Sequence, residues 1–567
     1  MRRASVTAIS ISAAITLLAG HAAAESGTYD DEFQTPRPRI AELPLDAPAI
    51  PSAIAGQSLD WKPCAGTGLG AAVRGNPYAA VLSPMLSELD CATVRTPLDW
   101  SRPETSPEAT FEISRLRSRN PNARQLLTSP GGLGAGMLLN PIQWAGAFPQ
   151  LRDTYDLIGF DPRGTGLSST NQDCDADLSG DPNLLATGRN DRTDVLDFAA
   201  DSVRRQLGRA RDWVRSCLER GARTATGEPT AGSVNYWQTV RDLDLARTLL
   251  GAPSWSFLGR SQGTLLGLEL ARTFPDRLDR LVLDSAVGPT LSQAQIYTER
   301  ILRQQRALEN SFAPWLAKRG SGFGDTTEAV LSALTTLRAD LTTHPIPLPF
   351  DRTFSGNDLN MLFLGIDNGP YEGLERKLTI LRAAVEKPAI ATQLNAAMAF
   401  RVSPMVELIG QDISLAGSRV GWWTARSCNS TGWSHDLDEI VSAAQELAKQ
   451  APLTYTGMGF TAVCVFWPEA QTGTSAGGYD RIRSALLLGN EKDPVTTISG
   501  AETVRTLVRD ARLVTVAGKQ AHTVLPQIMP GGVPGSTPGT SGCANAVAAA
   551  YLLDGRLPDT DTVCQPG

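Results

Sequence analysis

Residues 254–273 read SWSFLGRSQGTLLGLELART, and this stretch decides the fold of the chain. The apolar run at 254–258 predicts a buried strand, and the apolar residues of 264–273 recur at helical spacing. The connecting segment GRSQG at 259–263 matches G-x-S-x-G, whose two glycines allow close backbone approach at a sharp strand-to-helix turn. Such a turn presents the serine hydroxyl at a helix N-terminus, where backbone N–H groups favour developing negative charge. The stretch therefore predicts Ser261 as a nucleophile, and the alternative is a chance match to a common five-residue pattern.

A serine hydroxyl becomes a good nucleophile only when a neighbouring base removes its proton, so a histidine should lie nearby. Beyond the first 24 residues the histidines are His344, His435 and His522. His522 follows the apolar run at 511–516 (ARLVTV) by a short loop, so the rigid edge of a sheet could aim it at Ser261. We predict His522 as the base and interpret the other two as surface or cap residues.

An orienting carboxylate should follow the strand that precedes the histidine. Asp493 does so, shortly after the apolar run at 483–489 (RSALLLG), which gives the chain order Ser, Asp, His. We therefore predict Asp493 as the third member of a catalytic triad. Glu491 and Asp284, the latter at the end of another apolar run, remain alternatives, and Asp493 could instead cap the following helix.

The tetrahedral intermediate of acyl transfer needs N–H donors for its oxyanion. We predict the backbone N–H of Gln262 as the first donor, because it follows the nucleophile at the start of the helix. The segment SPGGLGAG at 129–136 follows the strand-like run 125–129, the usual place of the second donor, which we assign to Gly132. The alternative is a phosphate-binding loop, although no Lys-Ser/Thr follows it as a P-loop requires.

Short β-rich runs alternate with amphipathic stretches over the first half of the chain. This alternation predicts the α/β class, with a mostly parallel sheet flanked by helices, and with the serine turn it predicts the α/β-hydrolase fold. After residue 284 helical patterns replace strands for about two hundred residues, which indicates an inserted helical cap. The predicted strands are 91–96, 110–116, 125–129, 155–160, 254–258, 280–284, 483–489 and 511–516, and the predicted helices are 192–219, 236–250, 264–273, 293–318, 326–342, 357–365 and 371–400.

The start of the chain has the features of a secretory signal peptide at 1–24. Arg2 and Arg3 precede an apolar region at 6–19, and Ala22-Ala23-Ala24 provides a small-residue cleavage site. No later segment offers about 18 uninterrupted apolar residues, so no membrane span is expected. We expect a secreted, extracellular protein that begins near Glu25.

By its composition and its pattern of apolar residues, the rest of the chain divides into a lead-in, a hydrolase core and a helical cap. Residues 25–55 are rich in proline, alanine and acidic residues without apolar periodicity, which predicts an extended lead-in where no core forms. We expect the hydrolase core to consist of 56–288 and 426–567, and the helical cap to span 289–425.

Eight cysteines follow the signal peptide, an even number in a chain addressed to an oxidising compartment. They fall into sequence-local couples, so we predict four disulfides. A metal site is the alternative, but no CxxC or histidine-rich spacing supports one. The predicted pairs are Cys64–Cys91, Cys174–Cys217, Cys428–Cys464 and Cys543–Cys564.

Composition restricts the partners. The 567 residues carry a formal net charge of −7 without a long Lys/Arg run, which argues against a nucleic-acid partner. Acyl transfer by a triad needs no metal or other cofactor, so none is implied. We expect a monomer that takes a peptide or a small acyl substrate.

Several longer motifs resemble the secreted tripeptidyl aminopeptidase family of actinobacteria, relatives of prolyl aminopeptidases within the α/β-hydrolases. The resemblance covers most of the chain and implies Ser261, Asp493 and His522 as the triad, a helical cap over the site, and cleavage of short peptides from a free N-terminus. Carboxylates of the cap would then pair with the ammonium group of the substrate. The motifs are CATVRTPLDW (91–100), the Pro-Gly-Gly loop (130–136), YDLIGFDPRGTGLSS (155–169), RDLDLARTLLG (241–251), GRSQGT (259–264), RLVLDSAVGP (280–289) and LLLGNEKDPVT (486–496).

The sequence departs from the family pattern at four positions. Gln262 stands where these peptidases often have Tyr, Arg260 where Gly is common, Leu133 where Pro is common, and Ala521 where Gly usually precedes the histidine. We expect Arg260 and Gln262 to line the pocket floor and to affect substrate choice. Two other functions remain open, namely an esterase or amidase acting on a small extracellular metabolite, and a non-catalytic binding protein that keeps the fold.

Overall fold

The computed structural model describes most of the chain. The predicted signal peptide at 1–24 lies outside the described residues, as do 133–136 of the glycine-rich loop and 388–400 of the last predicted cap helix. The described residues are 28–33, 40–74, 79–132, 137–172, 174, 193–348, 352–363, 366, 371–387, 413–430, 432–468, 471–474, 477–528 and 539–567.

A ten-stranded sheet forms the centre of the molecule, in the order β14-β13-β12-β8-β7-β5-β6-β4-β3-β2. The strands from β14 to β6 run parallel, and β4, β3 and β2 continue the sheet in antiparallel pairing. All eight predicted strands are confirmed. The described strands are β1 (Ile40–Leu43), β2 (Lys62–Pro63), β3 (Leu89–Pro97), β4 (Glu108–Leu116), β5 (Arg124–Ser129), β6 (Tyr155–Phe160), β7 (Trp255–Arg260), β8 (Leu278–Asp284), β9 (Ile346–Leu348), β10 (Arg352–Phe354), β11 (Gln471–Thr474), β12 (Ser484–Asn490), β13 (Asp510–Val516) and β14 (Thr562–Cys564).

Helices cover both faces of this sheet. Successive strand residues point to opposite sides, so Leu126 belongs to one apolar cluster and Leu127 to the other. The α/β class predicted from the sequence is therefore confirmed. The described α-helices are α1 (Thr28–Phe33), α2 (Ser52–Ala55), α3 (Gly68–Arg74), α4 (Ala79–Leu86), α5 (Asn140–Ala147), α6 (Ala200–Arg220), α7 (Tyr236–Leu249), α8 (Gly263–Thr273), α9 (Gln293–Ala307), α10 (Ala313–Ala317), α11 (Thr327–Thr343), α12 (Gly356–Phe363), α13 (Tyr371–Glu386), α14 (Ile413–Cys428), α15 (Leu437–Gln450), α16 (Gly459–Val465), α17 (Ile498–Leu507) and α18 (Gly542–Asp554).

Between β8 and β12 the chain is mainly helical, as the sequence predicts. The helices from α9 to α13 enclose their own apolar cluster, which includes Leu334 and Phe363. The predicted helix 293–318 is interrupted, because a π-helical segment at Leu308–Phe312 separates α9 from α10. Helices α14 to α16 pack with α6 in a further cluster that contains Trp213 and Trp467. No helix in the described ranges is both long and apolar enough to cross a bilayer.

The lead-in differs from the extended segment predicted for 25–55. Helix α1 buries Phe33, and β1 pairs in parallel with β11. The backbone carbonyl of Pro44 accepts hydrogen bonds from Trp237 Nε1 at 2.8 Å and from Arg241 Nη2 at 3.2 Å. These contacts show that the prediction that no core forms here is wrong. The sequence gives no sign of them, because a strand of four residues and a single buried aromatic residue leave no periodicity.

The four disulfides are the predicted ones. Cys64–Cys91 and Cys543–Cys564 lie beside opposite edges of the large sheet, and Cys174–Cys217 and Cys428–Cys464 lie in the helical cluster of α6 and α14. Each closes a loop of 21 to 43 residues. Such a loop constrains the unfolded chain and contributes about 3 to 4 kcal/mol in the chain-entropy description.

The DPRGTG segment that follows β6 is held by a buried ion pair. Arg163 Nε lies 2.6 Å from Asp242 Oδ2 on α7, and Arg163 also donates to the carbonyls of Pro97 and Leu98. Both charged side chains are almost fully buried. The pair therefore joins two motifs of the family resemblance, DPRGTG and RDLDL, by a structural contact.

Asp161 of the same segment predicts a measurable pH dependence of stability. Burial raises the pKa of its carboxyl from 3.8 to about 7, although the N–H of Leu167 donates to it. Between pH 4 and pH 7 the folded protein retains a proton that the unfolded chain releases. The free energy of unfolding is therefore highest below pH 4 and falls by about 1.4 kcal/mol per pH unit as the pH rises to 7. In Asp161→Asn, the free energy of unfolding measured between pH 4.5 and 7.5 should no longer fall with this slope. Equal slopes in the two proteins would contradict the assignment.

Candidate active site

Ser261 occupies a strained turn between β7 and α8. Its φ is 49°, and the other non-glycine residues with left-handed φ in the described chain are Ser285 (60°) and Thr523 (68°). Ser261 and Ser285 directly follow the neighbouring parallel strands β7 and β8, and Thr523 lies in the loop after β13; such strain typically accompanies function. The glycines of the turn are required sterically, since a Cβ at Gly259 would lie 2.8 Å from the carbonyl oxygen of Gly263.

Asp493 and His522 are in direct contact. His522 Nδ1 lies 3.1 Å from Asp493 Oδ1 and 3.0 Å from Oδ2, and the carboxylate is 3% exposed. The same carboxylate accepts hydrogen bonds from the N–H groups of Val495 and Thr496, each at 2.9 Å. Helix α17 begins later, with Thr497 as its N-cap, so Asp493 does not cap it.

The environment of Asp493 favours its charged form. Burial alone would raise the pKa of this carboxyl, but the imidazole of His522 and the N–H groups of Thr496 and Val495 outweigh burial and hold the pKa below its ordinary value. The carboxylate therefore stays ionised beside the imidazole, as an orienting group for a catalytic histidine must.

The alternatives to these residues make other contacts. Glu491 is exposed, and its carboxylate accepts from the N–H of Gly518. His344 is exposed at the C-terminal end of α11, and His435 is half-buried in the loop before α15. Asp284 is buried and ion-paired with Arg260.

Arg260 and Asp284 together hold the loop that follows His522. The carboxylate of Asp284 accepts from the N–H groups of Val524 and Leu525 at 2.7 and 3.0 Å. Arg260 Nη2 donates to the carbonyls of Leu525 and Pro526, each at 2.6 Å, and Arg260 Nε lies 3.4 Å from Asp284 Oδ2. Because the N–H of Ser261 also donates to the Asp284 carbonyl at 2.9 Å, one residue anchors both the serine turn and the histidine loop.

The prediction that Arg260 lines the pocket floor is wrong. Its side chain is 4% exposed and its guanidinium lies 4.3 Å from the ring centroid of Trp144. Burial lowers the pKa of Arg260 and raises the pKa of Asp284, and each group partly offsets the other's shift. The sequence shows two opposite charges, each at the end of an apolar run. The register of β7 and β8 places these two residues directly opposite each other.

Further hydrogen bonds fix the backbone on both sides of His522. Asn490 Nδ2, at the end of β12, donates to the carbonyls of Ala521 and Thr523 at 3.0 and 2.9 Å. The N–H of Thr523 donates to Ser285 Oγ at 3.1 Å. Sequence reasoning missed Asn490 and Ser285, because a polar residue that ends a strand looks like an ordinary turn residue.

The glycine loop after β5 lies against the serine turn. Gly131 has φ 108°, and a Cβ there would lie 2.7 Å from the carbonyl oxygen of Arg260 and 3.2 Å from Ser261 Cβ. A Cβ at Gly132 would lie 3.8 Å from Gln262 Cβ. Gln262 directly precedes α8. The two predicted oxyanion donors are therefore neighbours, while Leu133 lies outside the described residues.

Comparison with known proteins gives two family matches. Residues 126–322 match the alpha/beta hydrolase fold, and residues 454–564 match the TAP-like protein family. The second match contains both Asp493 and His522, and the first contains the serine turn.

Three relatives are similar to the chain at 24% to 26% identity. Tripeptidyl aminopeptidase of Streptomyces lividans is 24% identical over 97% of this chain and 95% of its own length. Serine protease Hip1 of Mycobacterium tuberculosis is 26% identical over 46% of this chain and 45% of its own length. Carboxylesterase B of the same organism is 25% identical over 84% of this chain and 86% of its own length.

Proposed function

We propose that this chain, a serine hydrolase of the tripeptidyl aminopeptidase family of the α/β-hydrolases, is a secreted exopeptidase. It would remove di- or tripeptide units from a free N-terminus. The observation that carries this proposal is the contact between Asp493 and His522 on a loop that is anchored to the serine turn.

The roles follow from the chemistry of acyl transfer. Ser261 Oγ attacks the scissile carbonyl, and His522 accepts its proton while Asp493 orients the ring through Nδ1 and stabilises the imidazolium. The N–H groups of Gln262 and Gly132 would stabilise the oxyanion. His522 then gives the proton to the departing amine, and water hydrolyses the acyl-enzyme by the same steps in reverse order.

Secretion is supported by the sequence and by the cysteines. The predicted signal peptide directs the chain out of the cytoplasm, and four disulfides are typical of proteins that fold in an oxidising compartment. N-terminal sequencing of the protein from culture medium should give a start near Glu25. Retention of the intact leader in the cell fraction would contradict secretion.

A substrate panel tests the peptidase assignment. We expect hydrolysis of tripeptidyl or dipeptidyl anilides with a free α-amine, and a much lower kcat/KM for the same peptides with an acetylated N-terminus. The acetylated peptide is the matched control, because it keeps the same peptide sequence and lacks the free ammonium group that an exopeptidase of this type recognises. Equal turnover of both forms would reject cleavage directed by the free N-terminus.

An esterase is the second candidate, favoured by the similarity to carboxylesterase B. The acyl-enzyme chemistry is shared, so the same triad would serve either substrate. Turnover of short acyl esters without any cleavage of peptidyl anilides would select the esterase and reject the peptidase.

A further inference from the structure

A buried arginine of helix α14 lies against the serine turn. Arg426 is 2% exposed, and its guanidinium lies 5.4 Å from the ring centroids of both Tyr236 and Trp422. Its Nη2 donates to Gln293 Oε1 at 3.1 Å, and within the described part of the chain it has no carboxylate partner. Burial of a cation without a carboxylate costs several kcal/mol, so this arrangement is unfavourable for stability alone.

The arginine binds the residue that follows the nucleophile. With the amide oriented to satisfy both groups, Gln262 Oε1 accepts from Arg426 Nη1 at 3.0 Å and from Nη2 at 2.9 Å. The hydroxyl of Tyr236, whose ring the guanidinium covers, donates to the main-chain carbonyl of Gln262 at 3.2 Å. Both the side chain and the main chain of Gln262 are therefore held by one cluster.

The same helix turn also contacts the second predicted donor. A Cβ at Gly132 would lie 3.2 Å from Trp423 Cζ3, so the indole of Trp423 packs closely over this glycine. Arg426 itself lines a small cavity together with Gly131 and Gly263, the residues that flank the two donors. The end of α14 thus packs on both halves of the predicted oxyanion site.

We infer that Arg426 is a positioning residue that fixes the oxyanion N–H of Gln262 through the Gln262 side chain. This inference rests on the proposed function, in which Gln262 supplies that N–H. A donor stabilises the oxyanion only when it points at the position that the oxygen will occupy, so a Gln262 free to turn would lose part of its effect. Gln262 stands where the family often has Tyr, and Arg426 is the group that gives its amide a fixed direction.

A double-mutant cycle tests this link. Arg426→Met keeps an unbranched apolar stem and removes the guanidinium group, and Gln262→Ala removes the acceptor but keeps the backbone N–H. Each single variant is expected to lower kcat by about 10- to 100-fold, less than the ~100- to 1,000-fold loss seen when a donor is deleted outright. The double variant should be no worse than either single variant, because both changes break the same contact. KM should change little, since the ground-state peptide does not need the donor.

Two further measurements separate positioning from a structural role. Binding of a peptidyl boronic acid, which forms a tetrahedral adduct with the serine, should weaken in Arg426→Met by the same factor as kcat, while binding of the product peptide should not. The melting temperature of Arg426→Met should be unchanged or higher, because an uncompensated buried charge has been removed. Arg338→Met is the matched control. It breaks the pair of the buried Arg338 with the half-buried Asp194 at 2.5 Å, so it should lower the melting temperature and leave kcat unchanged.

The outcomes are distinct. If the wild-type protein turns over its substrate, two results would overturn the inference. One is a wild-type kcat in Arg426→Met, and the other is a loss of kcat in the double variant that equals the product of the two single losses. A wild-type protein without turnover or labelling of the serine would overturn the proposed function, and this inference with it.

Discussion

Ser261→Ala is expected to abolish turnover, with a fall in kcat of about 10⁶-fold, because the residual rate of a dismantled triad comes only from binding and the oxyanion donors. The substitution removes one oxygen from a turn whose backbone strain is set by its surroundings, so the fold should persist. Ser256→Ala is the matched control, since Ser256 lies on the same strand and its hydroxyl contacts Tyr155 rather than the site. It should retain wild-type kcat.

Covalent labelling gives a second measurement of the same residue. A fluorophosphonate probe should add one phosphonyl group to wild-type protein and to Ser256→Ala, and none to Ser261→Ala. Retained turnover in Ser261→Ala would show that another residue is the nucleophile. A folded wild-type protein that neither reacts with the probe nor hydrolyses any substrate would instead favour the non-catalytic binding protein.

The strand ends around the site could be predicted because their signals are local. The turn at 259–263 combines an apolar strand, two obligatory glycines and a helix, and the runs before Asp493 and His522 are apolar nearly throughout. Such runs belong to parallel strands that are covered on both faces, and their carboxyl ends meet at one edge of the sheet. Residues following different strands could therefore be expected at one site before any contact was known.

The direction of Arg260 could not be predicted in the same way. The side chain of a strand residue points to one face or the other according to register, and the register that pairs Arg260 with Asp284 exists only once β7 and β8 are assembled. From the sequence alone, a cation next to a nucleophile predicts a substrate contact, whereas in the structure Arg260 anchors the histidine loop.

The lead-in and the sheet edges were missed for a different reason. β2 has two residues, and β1 pairs with β11 across more than four hundred residues of sequence. Elements this short carry no measurable period, and the contacts that stabilise them are entirely non-local. Their existence depends on the completed core rather than on local sequence.

Asp284→Ala is expected to damage both stability and catalysis. It leaves the Arg260 guanidinium buried without its carboxylate and removes the acceptor for the N–H groups of Val524 and Leu525. Breaking a buried pair by removing one partner typically costs about 3 to 5 kcal/mol. The loop that carries His522 also loses its anchor, and a displacement of about 1 Å at a catalytic group can lower the rate by about 100-fold. Denaturant unfolding and kcat measured on the same preparations check both expectations.

The double variant Arg260→Met/Asp284→Leu separates these two effects. Replacing a buried ion pair by apolar side chains of similar volume is often neutral, so the part of the stability that Asp284→Ala loses through the unpaired Arg260 charge should return. The N–H groups of Val524 and Leu525 still lack their acceptor, and the carbonyls of Leu525 and Pro526 lose their donor, so kcat should stay low. Recovery of kcat together with stability would show that the pair serves folding only. Wild-type stability and wild-type kcat in Asp284→Ala would show that the histidine loop is held without it, and the anchoring role derived from these contacts would be wrong.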